Sequence, residues 1–390
     1  MEVAQSKLAD LMREYACKDI LIRRAVGAVL GATVADAATR PMHWVYSEER
    51  MKETVGSSTT PEFWPVNCSP FYSLPLGRRS CYNDEALTML QSLPSTLSEV
   101  FKKDTYVNQL RDRFSPESDY AMALAARKEK YDSSQRYKER EPVVGPWENQ
   151  SIQCFLEKDA AGESTTGILD VHEADGFISV IPLIARLAMY NNGSALSPDS
   201  IVLIESFIKV LSASDVAVNH AVVMTRVLYD LISNTNQMTN DSISRSLTRD
   251  IVSRAVSASA LPPVEGEFSA VLDYLSSIDS KENVKNDSNN VLFADGFVEA
   301  ISSFGKACSF PGTFQGAMLT TLYSSSFVEG VRRNIVAGGC NCSRANTAGA
   351  CMGAIYGIGG ESGIPLEWIL QTDVGTAVFE MAMEKLTPGE

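Results

Sequence analysis

Residues 337–357 read AGGCNCSRANTAGACMGAIYG, and how they are read decides the fold. Two glycines open into a helix of small residues, an arrangement that suits an anion or metal site at a helix start. The polar residues placed for such work are two cysteines, Cys340 and Cys342. Three readings are therefore open: a metal site, a thiol centre, or the remnant of a site that once used carboxylates.

Helical periodicity runs outward from this stretch. Residues 20–38 (ILIRRAVGAVLGATVADAA) carry apolar side chains at helical spacing interleaved with Gly and Ala, so a neighbouring helix can approach closely. Residues 84–93, 176–190, 200–213, 216–232, 244–260 and 312–325 show the same period, and strand-like alternation is scarce. The expected fold is all-α, a compact orthogonal helical bundle of a dozen or so helices. Residues 1–19 are expected to be an extension and 20–390 a single domain. Residues 54–82, rich in Pro, Ser and aromatics, predict an ordered loop laid over the body. Residues 126–146 form a charge run and predict a solvated surface connection. Residues 281–290 predict a flexible polar loop. The tetrapeptide ADGF occurs at 174–177 and again at 294–297; in both copies Asp175 and Asp295 are placed to cap a helix.

The chain has 390 residues, 45% hydrophobic and 21% charged, enough for a large core. A net charge of −14 repels phosphate backbones and argues against nucleic-acid binding. No run approaches the roughly 18 consecutive apolar residues of a spanning helix, and the N-terminus lacks the apolar centre of a signal peptide. No membrane partner and a cytoplasmic location are expected. Eight cysteines are scattered without a CxxC pair, which predicts free, mostly buried thiols.

Three segments together resemble the ADP-ribosylglycohydrolase family, and within it the branch containing the J-type crystallins of jellyfish lenses. GAVLGATVADAATRPMHWVY (27–46) is similar to the family's opening Gly/Ala helix ending in Gly-Asp. CYNDEALTML (81–90) stands where the hydrolases read Thr-Asp-Asp-Thr, and the opening stretch stands where they read Gly-Gly-Asp-Thr-Asp-Thr. GPWENQSIQCFLE, HEADGFISVIPLIARLA and IPLEW follow in the expected order. The resemblance spans roughly residues 20–380 and implies a helical bundle whose cleft holds two Mg²⁺ ions acting on ADP-ribose.

Carried over residue by residue, the resemblance places Asn83, Asp84 and Glu85 at one side of that cleft. Asp84 and Glu85 are the candidate metal ligands, with the extra methylene of Glu85 displacing its oxygens. Capping by Asn83 or Asp84 is the alternative. Cys340 and Cys342 stand where the family has aspartate ligands; thiolates are soft and poor partners for Mg²⁺, so the cation pair is expected to be weakened or lost. Ser343 and Asp36 match ligand-binding positions, and Asp175 is a further one. His43, near a family glutamate, and Glu85 are candidate bases; a structural His43 beside Trp44 is the other reading. Cys340, Cys342, His43 and Asp84 would make a Zn²⁺ set if they converged. Cys342 would be a reactive thiol if the helix dipole and Arg344 lowered its pKa.

The expectation for function is a J-crystallin-like pseudoenzyme, a structural protein of eye-lens type. An active Mg²⁺-dependent hydrolase removing ADP-ribose from side chains or small molecules is the alternative, and an ADP-ribose-binding module without turnover the third. The sequence leaves oligomeric state open.

Overall fold

The structure, a computed structural model, describes residues 2–96, 99, 101–130, 141–234, 243–259, 261–279, 290–293 and 296–388. Among these, eighteen α-helices and only two short strands are present, more helices than the dozen or so expected, though the all-α class is as the periodicity predicts.

At the centre, Ile20–Thr39 packs along its length on Asn341–Tyr356. All of Asn341–Tyr356 is buried, and so is Ile20–Thr39 apart from Ile20 and Arg23. A helix buried on all sides cannot be strongly amphipathic, which is why both read as evenly apolar or small. Four glycines make the contact. A Cβ on Gly27 or Gly31 would overlap the backbone carbonyl of Gly353 or Gly349, and the reverse holds from the other side. The close approach expected of residues 20–38 is therefore realised, and its partner is the helix of the opening stretch.

Asp175–Tyr190 packs on Cys81–Ser92, on Asp215–Ser233 and on the central helix, while Gly375–Leu386 covers another face of Ile20–Thr39. Glu2–Ala16 buries Leu8, Leu11 and Tyr15. It docks on Gly375–Leu386 through a Tyr15–Phe379 ring contact at 5.7 Å and a Lys7–Glu380 ion pair at 2.6 Å. Glu2–Ala16, Lys103–Arg113, Asp119–Lys130, Phe327–Ala337 and Gly375–Leu386 are helices that the periodicity of the sequence does not single out.

The loop after Glu48–Val55 is ordered and stapled to the body by Arg40. Its guanidinium donates to the carbonyls of Arg78 (3.0 Å) and Pro75 (2.7 Å) and to Asn67. Within the loop, Tyr72–Ser73 pairs in parallel with Val143–Val144, Tyr72 opposite Val143. That pairing draws residues 143–149 onto the body. The charge run is thus not wholly a solvated connection: its start finishes Asp119–Lys130 and its end joins this ladder, while residues 131–140 lie outside the described residues. So do 281–289 and Asp295.

Gly338 and Gly339 both sit at φ 69°, left-handed backbone that glycine adopts without cost. Gly339 pairs with the chain after His43: Trp44 donates to its carbonyl (2.9 Å) and its N–H donates to Val45 (2.8 Å). Trp44 is held by that bridge at φ 64°, a conformation uncommon for a bulky residue.

Candidate functional site

Between these elements lies a cleft of about 1080 Å³, lined among others by Trp44, Phe71, Tyr82, Trp147, Glu173 and Cys308. Its size is that of a site for a drug-sized or nucleotide-sized ligand. Trp44, Phe71 and Trp147 meet edge to face, with centroids 5.3–5.7 Å apart. The Arg127 guanidinium lies 3.9 Å from the centre of the Trp147 ring. Lys128 also lines the opening. Arg127 lies at the start of the charge run and Trp147 directly after its end, and no periodicity in the sequence signals that they meet.

Below the cleft runs a chain of carboxyls and thiols. The Asn149 side-chain amide donates to Glu85 Oε1 at 2.8 Å and to Asp175. Glu85 and Asp175 are both fully buried, and each keeps one oxygen with no donor in the surroundings. Burial holds both carboxyls well above the usual carboxylate range, helped at Glu85 by the charge of Asp175 and at Asp175 by that of Glu173. Asp175 also meets Glu173, which accepts from Ser151 at 3.2 Å and from the Cys308 thiol at 3.5 Å. Interaction with Cys340 and burial push the Cys308 thiol well up. Cys340 Sγ lies 3.4 Å from His43 Nε2 and 3.2 Å from the Tyr82 hydroxyl, and His43 Nδ1 is 2.8 Å from the Tyr72 hydroxyl.

Asp84 is elsewhere. Its carboxylate accepts from Arg78 (3.0 and 2.8 Å), Arg79 (2.7 Å), Arg113 (2.6 Å) and the Tyr120 hydroxyl (3.0 Å). Asp373 and Asp119 complete the network, paired with Arg79 and Arg113 at 2.5 and 2.7 Å. Burial opposes the charge of Asp84, but the three guanidiniums outweigh it and hold the carboxyl well below its ordinary range. Those five hydrogen bonds saturate both oxygens.

The remaining predicted residues are tied into the frame. Asp36 accepts from the Ser80 N–H and hydroxyl, both at 2.7 Å, and from Asn346 at 2.8 Å, joining three helices. Burial pushes its carboxyl up, against those bonds. Asn83 donates to Asn346 at 2.8 Å, and the Ser343 hydroxyl to the carbonyl of Cys340 at 2.9 Å. Neither Asn83 nor Asp84 caps a helix, since Cys81–Ser92 begins earlier, with Ser80 at its N-cap. Asp175 does not cap either: Ala174 is the N-cap and the Asp175 side chain turns to Asn149. Cys342 is buried beside the Asp36 carbonyl, and burial pushes its thiol well up. Of the imagined zinc set, only His43 and Cys340 meet; Asp84 is held in its arginine cage.

A family profile described as ADP-ribosylglycohydrolase matches residues 18–389. The chain belongs to the ADP-ribosylglycohydrolase family. It is similar to Crystallin J1A of Tripedalia cystophora, 30% identical over 359 residues that cover 92% of this chain and 95% of the crystallin. Crystallin J1B of the same animal is 28% identical, covering 93% and 95%. A solved structure titled ADP-ribosylglycohydrolase-related protein complex superposes with a TM-score of 0.55 over 94% of this chain and 98% of that one, at 16% identity. That likeness shows the fold.

The family implies Mg²⁺, and the donor set of this member does not fit a pair of hard cations. The Asp84 oxygens are taken by guanidiniums. Glu85 and Asp175 are fully buried and share the Asn149 amide, and Cys340 and Cys342 are buried thiols, which Mg²⁺ disfavours. Among the described residues, no group of three or more His, Cys, Asp and Glu side chains is arranged to hold a metal ion.

The sequence motifs do not reveal Asn149, Cys308 or Tyr82. Asn149 is visible only as the N-cap of Gln150–Ala160, where its Oδ1 accepts from Ile152 at 2.9 Å.

Proposed function

We propose that this chain is a non-hydrolysing member of the ADP-ribosylglycohydrolase family, a structural protein of the kind its crystallin relatives are named for. The observation that carries the reading is the arginine cage around Asp84: three guanidiniums and a tyrosine hydroxyl occupy the carboxylate that the family motif would offer to a cation. A net charge of −14 supports high solubility, as a concentrated protein solution needs. All eight cysteines are unpaired, in keeping with a reducing cytoplasm.

The aromatic cleft favours a second reading, retained recognition of an ADP-ribose-like ligand. Trp44, Phe71 and Trp147 offer stacking faces for a base, and Arg127 and Lys128 bring positive charge near a diphosphate.

The test is calorimetric titration of ADP-ribose into the protein, with millimolar Mg²⁺ and after chelation, beside a hydrolysis assay on an ADP-ribosylated arginine side chain. No turnover in either condition is expected. Binding unaffected by chelation supports the recognition reading, and no heat supports a purely structural role. Mg²⁺-dependent release of ADP-ribose would overturn both.

A further inference from the structure

We propose that a second cavity, at the far end of the two central helices, is a phosphate site, in which one edge of the Arg24 guanidinium and the backbone N–H groups of a glycine-rich turn hold the phosphate group of a small ligand. It lies apart from the cleft. Asn341–Tyr356 starts beside Cys340, which touches the cleft-lining Tyr82, and its other end, Tyr356, lines this cavity. The 16 residues between them span about 24 Å as α-helix.

The cavity measures about 310 Å³, at the small end of the range for ligand sites. Tyr15, Arg23, Arg24, Tyr356 and the turn of residues 357–363 line it, with Ile20. The Tyr15 hydroxyl donates to the carbonyl of Arg23 at 3.1 Å and the Tyr356 hydroxyl to that of Ser324 at 2.6 Å. Both rings are therefore walls, and recognition falls to guanidinium and backbone donors.

Arg24 carries the argument. It is 3% exposed, and its Nη1 donates to the carbonyl of Leu231 at 3.3 Å and to that of Asn234, closing the end of Asp215–Ser233. Among the described residues, neither its Nε nor its Nη2 has a partner. Those two groups form the edge of a guanidinium that grips an oxyanion through two parallel hydrogen bonds. The chain uses the same edge elsewhere: Arg332 grips Glu62 through it at 2.8 and 2.6 Å, and Arg111 grips Asp159 at 2.6 and 2.7 Å. At Arg24 no carboxylate meets it. Burial and the charge of Arg23 push Arg24 down to about 10, a cost that a bound anion relieves.

The turn supplies the second set of donors. Gly357, Gly359 and Gly360 sit at φ 68°, 75° and 69°, so the chain can reverse sharply there. Its ends are pinned: Gly359 donates to Ile364 at 2.9 Å, Ile364 to Gly357 at 3.0 Å, and Phe327 to the carbonyl of Ser362 at 2.8 Å. Among the described residues, the N–H groups of Gly360, Glu361 and Ser362 donate to no backbone carbonyl. Successive N–H groups in such a turn make an anion-binding concavity. Glu361 also lines the cavity and is exposed; its charge opposes an anion and sets a limit on affinity.

The test is hydrogen exchange of the full chain, read by mass spectrometry, with and without about 10 mM inorganic phosphate or glycerol 3-phosphate. Slower exchange of the peptide covering residues 357–363 is expected with both. Stronger protection by glycerol 3-phosphate assigns the phosphate to an ester, and equal protection assigns it to the free ion. In calorimetry with the same two probes, Arg24→Lys keeps the charge but loses the fork and is expected to bind at least about tenfold more weakly. Glu361→Gln is expected to bind about two- to fivefold more tightly. Glu361 is exposed, so that variant and the wild-type exchange carry the test even where Arg24→Lys does not fold. Unchanged exchange of residues 357–363 at about 10 mM phosphate, including protection confined to residues 143–149 beside the cleft, overturns the site.

Discussion

Asp84 shows what one carboxylate does when it is given three cations. Its pKa is held far below the unfolded value near 4, so it contributes stability that is fully present above that value and is lost as pH falls towards the folded pKa. Asp84→Asn removes the buried charge that Arg78, Arg79 and Arg113 share, their side chains 15%, 4% and 25% exposed, and leaves them only the more exposed Asp119 and Asp373. The expected cost at neutral pH is about 3–5 kcal/mol, measured by urea unfolding, and the gap to wild type should narrow as pH drops below about 4. A gap that stays constant down to the lowest pH at which both fold would contradict the cage. Glu85 has the opposite sign. Its carboxyl is raised, so its contribution is complete below the unfolded value and is lost as pH rises through the folded one. Gln at 85 can accept from Asn149 and donate to Asp175, as the protonated acid does. Glu85→Gln is therefore expected to gain stability over wild type as pH rises from about 5 to about 8, visible as a growing difference in Tm.

Between elements, the decisive quantity is the distance between the Gly27/Gly31 and Gly349/Gly353 faces. Gly353→Ala forces a methyl group onto the Gly27 carbonyl, and the helices can relieve the overlap only by parting. Overpacking of this kind costs about 1–3 kcal/mol. Gly266, inside Pro262–Asp279, has open space around its missing Cβ. There the same replacement by Ala removes unfolded-state freedom and is expected to stabilise by about 0.4–1 kcal/mol. Thermal unfolding of the two variants side by side checks both signs. The small residues of both central helices were legible in the sequence because a helix must be bare where another backbone touches it. Lys103–Arg113 was not, because it buries only Tyr106 and Leu110 and leaves a weak apolar stripe. Asp119–Lys130 likewise buries only Tyr120 and Ala123.

Across the whole molecule, the net charge of −14 and pI of about 4.8 set colloidal behaviour. Turbidity of a concentrated solution should be least near neutral pH and greatest near pH 4.8, where self-repulsion vanishes. A turbidity that did not respond to pH across this range would remove charge from the account of solubility. The tripartite network of Arg78, Arg79 and Arg113 with Asp84, Asp119 and Asp373 gathers residues from the loop, three helices and the chain near residue 373. No local pattern announces it, since each arginine reads alone as a surface charge.

The sequence by itself determined the helical architecture, the pairing surface of small residues and membership of the family, because those depend on periodicity and on short motifs that survive in linear order. Only the tertiary structure decided what each polar residue does. Neighbouring positions 84 and 85 on one helix point to different surroundings, so arginines hold one carboxyl well below its ordinary range while burial beside Asp175 pushes the next one up. Likewise Cys340 and Cys342 differ by two residues, yet only Cys340 meets His43 and Tyr82. Electrostatics and hydrogen bonding fall off within a few ångströms, and which groups come that close is set by how distant segments pack.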